Sequence, residues 1–71
     1  MQIAILTLDG FNELDSFIAA GILNRMKPQG WAAHITCPTL EVTSMAGVTI
    51  QRQRPLDFLA EADAVLICSG I

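Results

Sequence analysis

The feature that most constrains the fold is an apolar run followed at once by a turn signal and a helix start. Residues Ile3 to Leu8 are nearly all apolar, as expected of a central parallel strand covered on both faces. Asp9-Gly10 predicts a turn, and Asn12 is placed to cap the helix that follows. Ligands collect at the carboxyl ends of strands in open α/β sheets. The stretch from Asp9 to Asp15 is therefore the first candidate for a functional site.

The rest of the chain continues the alternation of strands and helices. Apolar residues recur at helical spacing from Leu14 to Met26, and Lys27-Pro28-Gln29-Gly30 predicts the helix end. The further predicted elements are a strand at Trp31 to Cys37, a short hairpin or two edge strands within Glu41 to Gln51, a short helix from Pro55 and a strand at Ala64 to Cys68. The order β-α-β-hairpin-α-β indicates right-handed crossovers and a parallel α/β sheet.

Size and charge limit the classes of function. The chain has 71 residues, of which 52% are hydrophobic and 15% charged. A domain of about 60–70 residues is only marginally stable alone, so we expect residues 1–71 to be the N-terminal portion of one larger domain. The net charge is −3 and the four basic residues lie in two pairs, which argues against nucleic-acid binding. No apolar run approaches the roughly 20 residues that span a membrane.

The cysteines and the start of the chain bear on its compartment. Met1-Gln2-Ile3 has no basic region typical of a secretory signal. Cys37 and Cys68 lack the spacing of metal ligands, and two cysteines are too few for a disulfide framework. We therefore expect a cytoplasmic protein with reduced thiols, no metal and no cofactor.

Asp15 is the first candidate for chemistry, because it lies in the first helical turn just past a strand end. The positive end of the helix dipole favours a carboxylate there. A purely structural role as a helix-capping residue is the alternative, and Glu13 is a rival acid on the same turn.

Other residues are weaker candidates. Ser69-Gly70 follows a strand, and a glycine there can turn a backbone N–H toward an oxyanion. Cys68 ends the same strand, but the lone histidine, His34, lies in the middle of another strand, so Cys68 lacks an evident base. Phe11, Phe17, Phe58 and Trp31 fit core positions, although Phe11 on its loop can instead line a pocket. Arg52 and Arg54 follow a period of two, which predicts one solvated strand face.

Several motifs in order resemble the ThiJ/PfpI family. Asp9-Gly10-Phe11-Asn12-Glu13-Leu14-Asp15 resembles its N-terminal signature, and residues 42–50 and 55–59 resemble its hairpin and brief helix. Residues 63–70 resemble the strand that usually ends in Pro-Gly-Gly, with Cys68 and Ser69 in place of the Pro and the first Gly. The resemblance implies a class I glutamine-amidotransferase-like, flavodoxin-type α/β fold: a parallel sheet with helices on both faces.

The resemblance also implies site residues. Asp15 matches the acid that hydrogen-bonds the family's catalytic cysteine, and Gly70 matches the oxyanion N–H donor. Gly10, Phe11 and Ile71 are the implied substrate-binding residues. The nucleophilic cysteine, on its strand-to-helix elbow, is expected after Ile71, which argues against Cys68 in that role.

The implied function is that of a cysteine-dependent hydratase or hydrolase acting on a small isocyanide, carbonyl compound or amide. The 71 residues alone are not expected to be active. The family also implies a homodimer, with the remainder of the domain as a further partner. Two alternatives stay open: a non-catalytic, ligand-sensing domain of the kind found in transcription regulators, and a flavodoxin-like scaffold without a site.

Overall fold

The computed structural model describes residues 1–68, and a four-stranded parallel sheet forms its centre. In chain order the elements are β1 (Gln2–Leu6), α1 (Glu13–Asn24), β2 (Ala32–Cys37), β3 (Glu41–Thr43), β4 (Thr49–Gln51), β5 (Arg54–Pro55) and β6 (Ala64–Ile67). Short 3-10 helices lie at Lys27–Gln29 and Leu56–Ala60. The sheet order is β5-β2-β1-β6, and β3 and β4 form a separate antiparallel hairpin. The predicted α/β fold with a parallel sheet is confirmed.

β1 is the central strand and pairs in parallel with β2 on one side and β6 on the other. Ile3, Ala4 and Ile5 are buried, which agrees with the apolar run. Asp63 sets the start of β6 against β1: its N–H donates to the Gln2 carbonyl at 2.7 Å, and its Oδ2 accepts from the Gln2 N–H at 2.6 Å. These two bonds fix the register in which Ile3 pairs with Ala64.

α1 begins where the sequence predicts and packs on one face of the sheet. The Asn12 Oδ1 accepts a hydrogen bond from the Leu14 N–H at 3.0 Å, which satisfies one of the open donors of the first turn. Ser16 is fully buried, and the side chains that face Ile3, Ile5 and Ala33 are mostly small, namely Ala19, Ala20 and Leu23. The helix ends at Asn24, two residues before Met26.

The opposite side of α1 is apolar and exposed. The spacing of its apolar residues predicts the helix, but these side chains are exposed and do not form the face that packs on the sheet. They are Leu14, Phe17, Ile18 and Ile22. The prediction that Phe17 is a core residue is wrong, because 39% of its surface is exposed. Phe11 and Phe58 are buried as predicted, and Trp31 is half-buried against the cluster around Ile3.

The other face of the sheet is covered by the 3-10 helix at Leu56–Ala60. Its Phe58 ring meets the His34 ring edge-on, with 5.2 Å between ring centroids and a 90° angle between planes. Arg54 lies over the same Phe58 ring at 5.8 Å. Helical segments therefore lie on both faces, as the resemblance implies, although the second is a single 3-10 helix.

Two side-chain amides complete the outer edge of β2, where the two-residue strand β5 is too short to pair along its whole length. The Asn24 Nδ2 donates to the Ala33 carbonyl at 3.0 Å, and its Oδ1 accepts from the Ala33 N–H at 2.9 Å. Two positions further along β2, Gln53 pairs with Ile35 in a similar way. The backbone N–H of Gln53 donates to the Ile35 carbonyl at 2.9 Å, and the side-chain Oε1 of Gln53 accepts from the Ile35 N–H at 2.7 Å. These amides satisfy backbone groups that would otherwise lack partners.

Replacing Asn24 by alanine should destabilise the protein by about 1–3 kcal/mol, because a part-buried N–H and carbonyl lose their partners together. The measurement is the free energy of unfolding in urea. Gln29→Ala is the matched control, since Gln29 is exposed and its side chain makes no hydrogen bond within residues 1–68. Equal stability of the two variants would contradict the structural role of Asn24.

Candidate functional site

A groove of about 350 Å³ lies between α1 and the carboxyl end of β6. The walls that residues 1–68 contribute are mostly apolar and include one carboxylate and one thiol. The lining residues are Leu14, Asp15, Ile18, Ala19, Leu66, Ile67 and Cys68. An apolar groove with a few polar groups is the usual setting of a small-molecule site.

Asp15 reaches this groove because of the strand-turn-helix connection that precedes it. β1 ends at Leu6, the chain turns at Gly10, and Asp15 lies in the first turn of α1. β6 runs parallel to β1, and Leu6 pairs with Ile67. The carboxyl ends of the two strands therefore lie side by side, and Asp15 and Cys68 line one groove. The catalytic role of Asp15 stays a prediction.

Glu13 is placed differently from Asp15. Its Oε2 is shielded from solvent and has no hydrogen-bond partner within the part of the chain that the structure describes. A buried acceptor without a donor is costly, and such an atom in a native protein calls for an explanation. Glu13 therefore remains a rival acid at this end of the sheet, although it does not line the groove.

Gly10 and Phe11 connect the site to the hairpin and do not line the groove. Gly10 has a φ of 82°, which a side chain would disfavour, and its N–H donates to the Thr43 carbonyl at 2.8 Å. Phe11 is 3% exposed and packs with Ile35, Cys37 and Val42. Phe11 is thus a core residue that anchors the loop to β2 and β3. A substrate-binding role for Gly10 or Phe11 stays a prediction.

Two contacts near the site have no counterpart in the sequence-based interpretation. The Asp9 Oδ1 accepts from the Thr43 N–H at 2.9 Å, so Asp9 ties the turn to β3. The buried Thr7 and Ser16 hydroxyls lie 3.3 Å apart, and Thr7 Oγ1 also donates to the Ile5 carbonyl at 3.1 Å. Ser16 Oγ is then the donor to Thr7, and the pair joins the start of α1 to the end of β1.

The remaining candidates fall outside the groove or outside residues 1–68. His34 lies in β2, with its Nε2 3.1 Å from the Gln2 Oε1, as expected of a sheet-face histidine. Burial lowers the pKa of His34, and the Arg54 and Lys27 charges add to this effect. The oxyanion candidate at Ser69-Gly70 and the substrate-binding candidate Ile71 lie outside the described residues.

The structure also bears on metals and membranes. Within residues 1–68, no group of three or more His, Cys, Asp and Glu side chains is arranged to hold a metal ion. The longest helix of that range is α1 with 12 residues, and no helix there has the length and apolar character needed to cross a bilayer.

Comparison with known proteins finds solved structures of similar fold, but neither a family model nor a curated protein of similar sequence. Neither a protein-family model nor a curated protein matches the chain. Among solved structures, the DJ-1 superfamily protein Atu0886 from Agrobacterium tumefaciens covers 99% of this chain at 24% identity and a TM-score of 0.69. The VC2308 protein covers 99% at 19% identity and a TM-score of 0.73.

This chain spans 38% of the Atu0886 chain and 36% of the VC2308 chain, so it corresponds to less than two-fifths of either structure. The chain has the α/β fold of this part of a DJ-1 superfamily protein, as the ThiJ/PfpI resemblance implied.

Thiol reactivity should distinguish the two cysteines. Cys37 is fully buried, and burial raises the pKa of its thiol, against a smaller lowering by the Arg52 charge. Less thiolate is therefore present at neutral pH, and iodoacetamide should label the half-buried Cys68 first.

Mass spectrometry of the labelled peptides over time gives the alkylation rate of each cysteine. The variants Cys37→Ser and Cys68→Ser confirm which rate belongs to which residue. We expect Cys68 to react no faster than an ordinary free thiol. A rate well above that would contradict our exclusion of Cys68 as the nucleophile.

Proposed function

We propose that this chain is part of a ThiJ/PfpI-type (DJ-1 superfamily) protein that acts as a cysteine-dependent hydratase or hydrolase on a small molecule. Isocyanides, small carbonyl compounds and amides are the substrate classes. The observation that carries the proposal is the groove at the carboxyl ends of β1 and β6, which Asp15 lines from the first turn of α1. The fold shared with the DJ-1 superfamily protein supports it.

The groove suits an uncharged substrate with a polar reacting group. Among residues 1–68, seven line the groove and five of these are apolar, so an alkyl or aryl group can be buried there. Asp15 provides one carboxyl group close to the reacting end. The protein's nucleophile in this proposal is a cysteine that follows Ile71, and the Gly70 N–H is the donor for charge that develops on the substrate.

For an isocyanide the reaction balances with one water. The thiolate sulfur adds to the terminal carbon, which takes a proton from Asp15 to give a thioimidate, R–N=CH–S. Water oxygen then adds to that carbon, one water proton goes to nitrogen, and the other returns to Asp15. The C–S bond breaks, which releases the formamide R–NH–CHO and regenerates the thiolate. Asp15 thus acts as general acid and then as general base.

Asp15→Asn in the complete protein should lower kcat for hydration of a small aryl isocyanide by about 10²–10⁴-fold, because an amide cannot transfer the proton. Formamide production measured by chromatography is the readout. Glu61→Gln is the matched control, because Glu61 is exposed at the end of the 3-10 helix at Leu56–Ala60, precedes the amino end of β6, and does not line the groove at the carboxyl end of that strand.

Glu13→Gln separates the two acids of the first turn. Full activity of Asp15→Asn together with loss in Glu13→Gln would assign the acid to Glu13 and overturn our assignment. Saturable binding without turnover of isocyanide, carbonyl or amide substrates would favour the ligand-sensing alternative.

We further propose that the complete protein is a cytoplasmic homodimer. Within each subunit, the remainder of the same domain packs beside β6. β6 is an edge strand among the described strands, and Val65, Leu66 and Ile67 on it are exposed, Ile67 at 76%. The outer side of α1 adds Phe17 and Ile22 as exposed apolar surface. Large exposed apolar patches mark contact surfaces.

The free thiols Cys37 and Cys68 are compatible with a reducing compartment.

The dimer can be tested by two masses of the same sample. The intact mass from mass spectrometry should exceed the 7.7 kDa of this chain, and the native mass from light scattering should be twice the intact mass. Phe17→Glu should shift the native mass toward the monomer, since it puts a charge on the exposed side of α1. A native mass equal to the intact mass for the unaltered protein would contradict the dimer.

A further inference from the structure

A second groove, of about 420 Å³, lies at the base of the β3–β4 hairpin. Its lining residues are Leu40, Glu41, Gln51, Arg52 and Gln53. The volume falls within the range of about 300–1,000 Å³ typical of small-molecule sites. None of these residues lines the groove beside Asp15, so the two grooves are separate.

The second groove contains one positive and one negative side chain that do not neutralise each other. Within residues 1–68, the Arg52 guanidinium and the Glu41 carboxylate make no ion pair with one another and no hydrogen bond. Arg52 is half-buried, and its charge lowers the pKa of the neighbouring Cys37 thiol against the larger effect of burial. The guanidinium therefore retains its donors for a ligand.

The backbone around these side chains is fixed. The Arg52 N–H donates to the Leu40 carbonyl at 2.9 Å. The Gln53 main chain and side chain both bond to Ile35 of β2, so the segment after β4 is held to the sheet. Side chains presented from a rigid frame bind with a smaller loss of conformational entropy.

We propose that this second groove binds a free α-amino acid with an apolar side chain. Arg52 is suited to the carboxylate, because its planar guanidinium can make two parallel hydrogen bonds to it. Glu41 is suited to the ammonium group, and Leu40, which is 70% exposed, offers apolar surface to the ligand's side chain. A simple anion would be repelled by Glu41 and a simple cation by Arg52, so the pair of charges favours a zwitterion.

The test is a titration of the ¹⁵N-labelled protein with L-leucine, followed by amide chemical shifts. We expect saturable shifts confined to residues 40–41 and 51–53 and their neighbours. N-acetyl-L-leucine lacks the ammonium group and L-leucinamide lacks the carboxylate, so each should bind about ten- to a hundred-fold more weakly than L-leucine.

Two variants test the assigned residues. Arg52→Gln should weaken L-leucine binding about ten- to a hundred-fold and bring it close to that of L-leucinamide. Glu41→Gln should remove the preference for L-leucine over N-acetyl-L-leucine. Glu61→Gln, outside the groove, should bind L-leucine as the unaltered protein does, and well-dispersed spectra confirm that each variant folds.

Absence of saturable shifts with L-leucine, or equal affinity for the three ligands, would overturn the proposal without any variant. Shifts that saturate at residues around Asp15 instead would assign the ligand to the other groove and overturn this site. Because the two grooves share no residue, the isocyanide assay of Asp15→Asn reports on the first site alone.

Discussion

The parallel pairing of β1 on both of its sides is the constraint on which the rest of the structure depends. A strand hydrogen-bonded to β2 and β6 has no free backbone edge, and helical or 3-10 segments cover both faces of the sheet around it. Such a strand is apolar where it is covered: Ile3, Ala4 and Ile5 are buried, and only Gln2 at its exposed start is polar. Because parallel neighbours end at the same side of the sheet, the residues after β1 and β6 meet. The groove beside Asp15 follows from that geometry.

The two outer edges of the described sheet differ in how their backbone groups find hydrogen-bond partners. Beyond β2, the amides of Asn24 and Gln53 and the two residues of β5 satisfy the backbone, so this edge needs no further strand. Beyond β6, the backbone edge and apolar side chains such as Ile67 are exposed. Exposed edges invite pairing. The open edge is also where the groove lies, so in our proposal a segment that packs beside β6 would extend the sheet and the wall of the groove together.

The candidate site was predictable in part. Asp15 follows from the strand-turn-helix pattern, since a helix that starts after a buried strand must place its first turn at the strand end. The cap at Asn12 follows from the same local rules and is confirmed. The sequence placed both Phe11 and Phe17 in the core, and it did not indicate that only Phe11 is buried, because both are aromatic residues near the helix start. Which of them is buried depends on where β3 packs, and β3 is more than twenty residues away along the chain.

The sequence by itself determined the order of the elements other than the two-residue strand β5, the parallel class of the sheet and the helix start, because hydrophobic periodicity and turn residues act over a few neighbouring positions. Only the tertiary structure decided which helix face is buried, since α1 is apolar on two sides and the smaller residues Ser16, Ala19 and Ala20 allow the closer approach to the sheet. It likewise decided that Asp9 holds β3 and that Asn24 and Gln53 complete an edge. These contacts join residues nine to thirty-four positions apart, where no local pattern can indicate a partner.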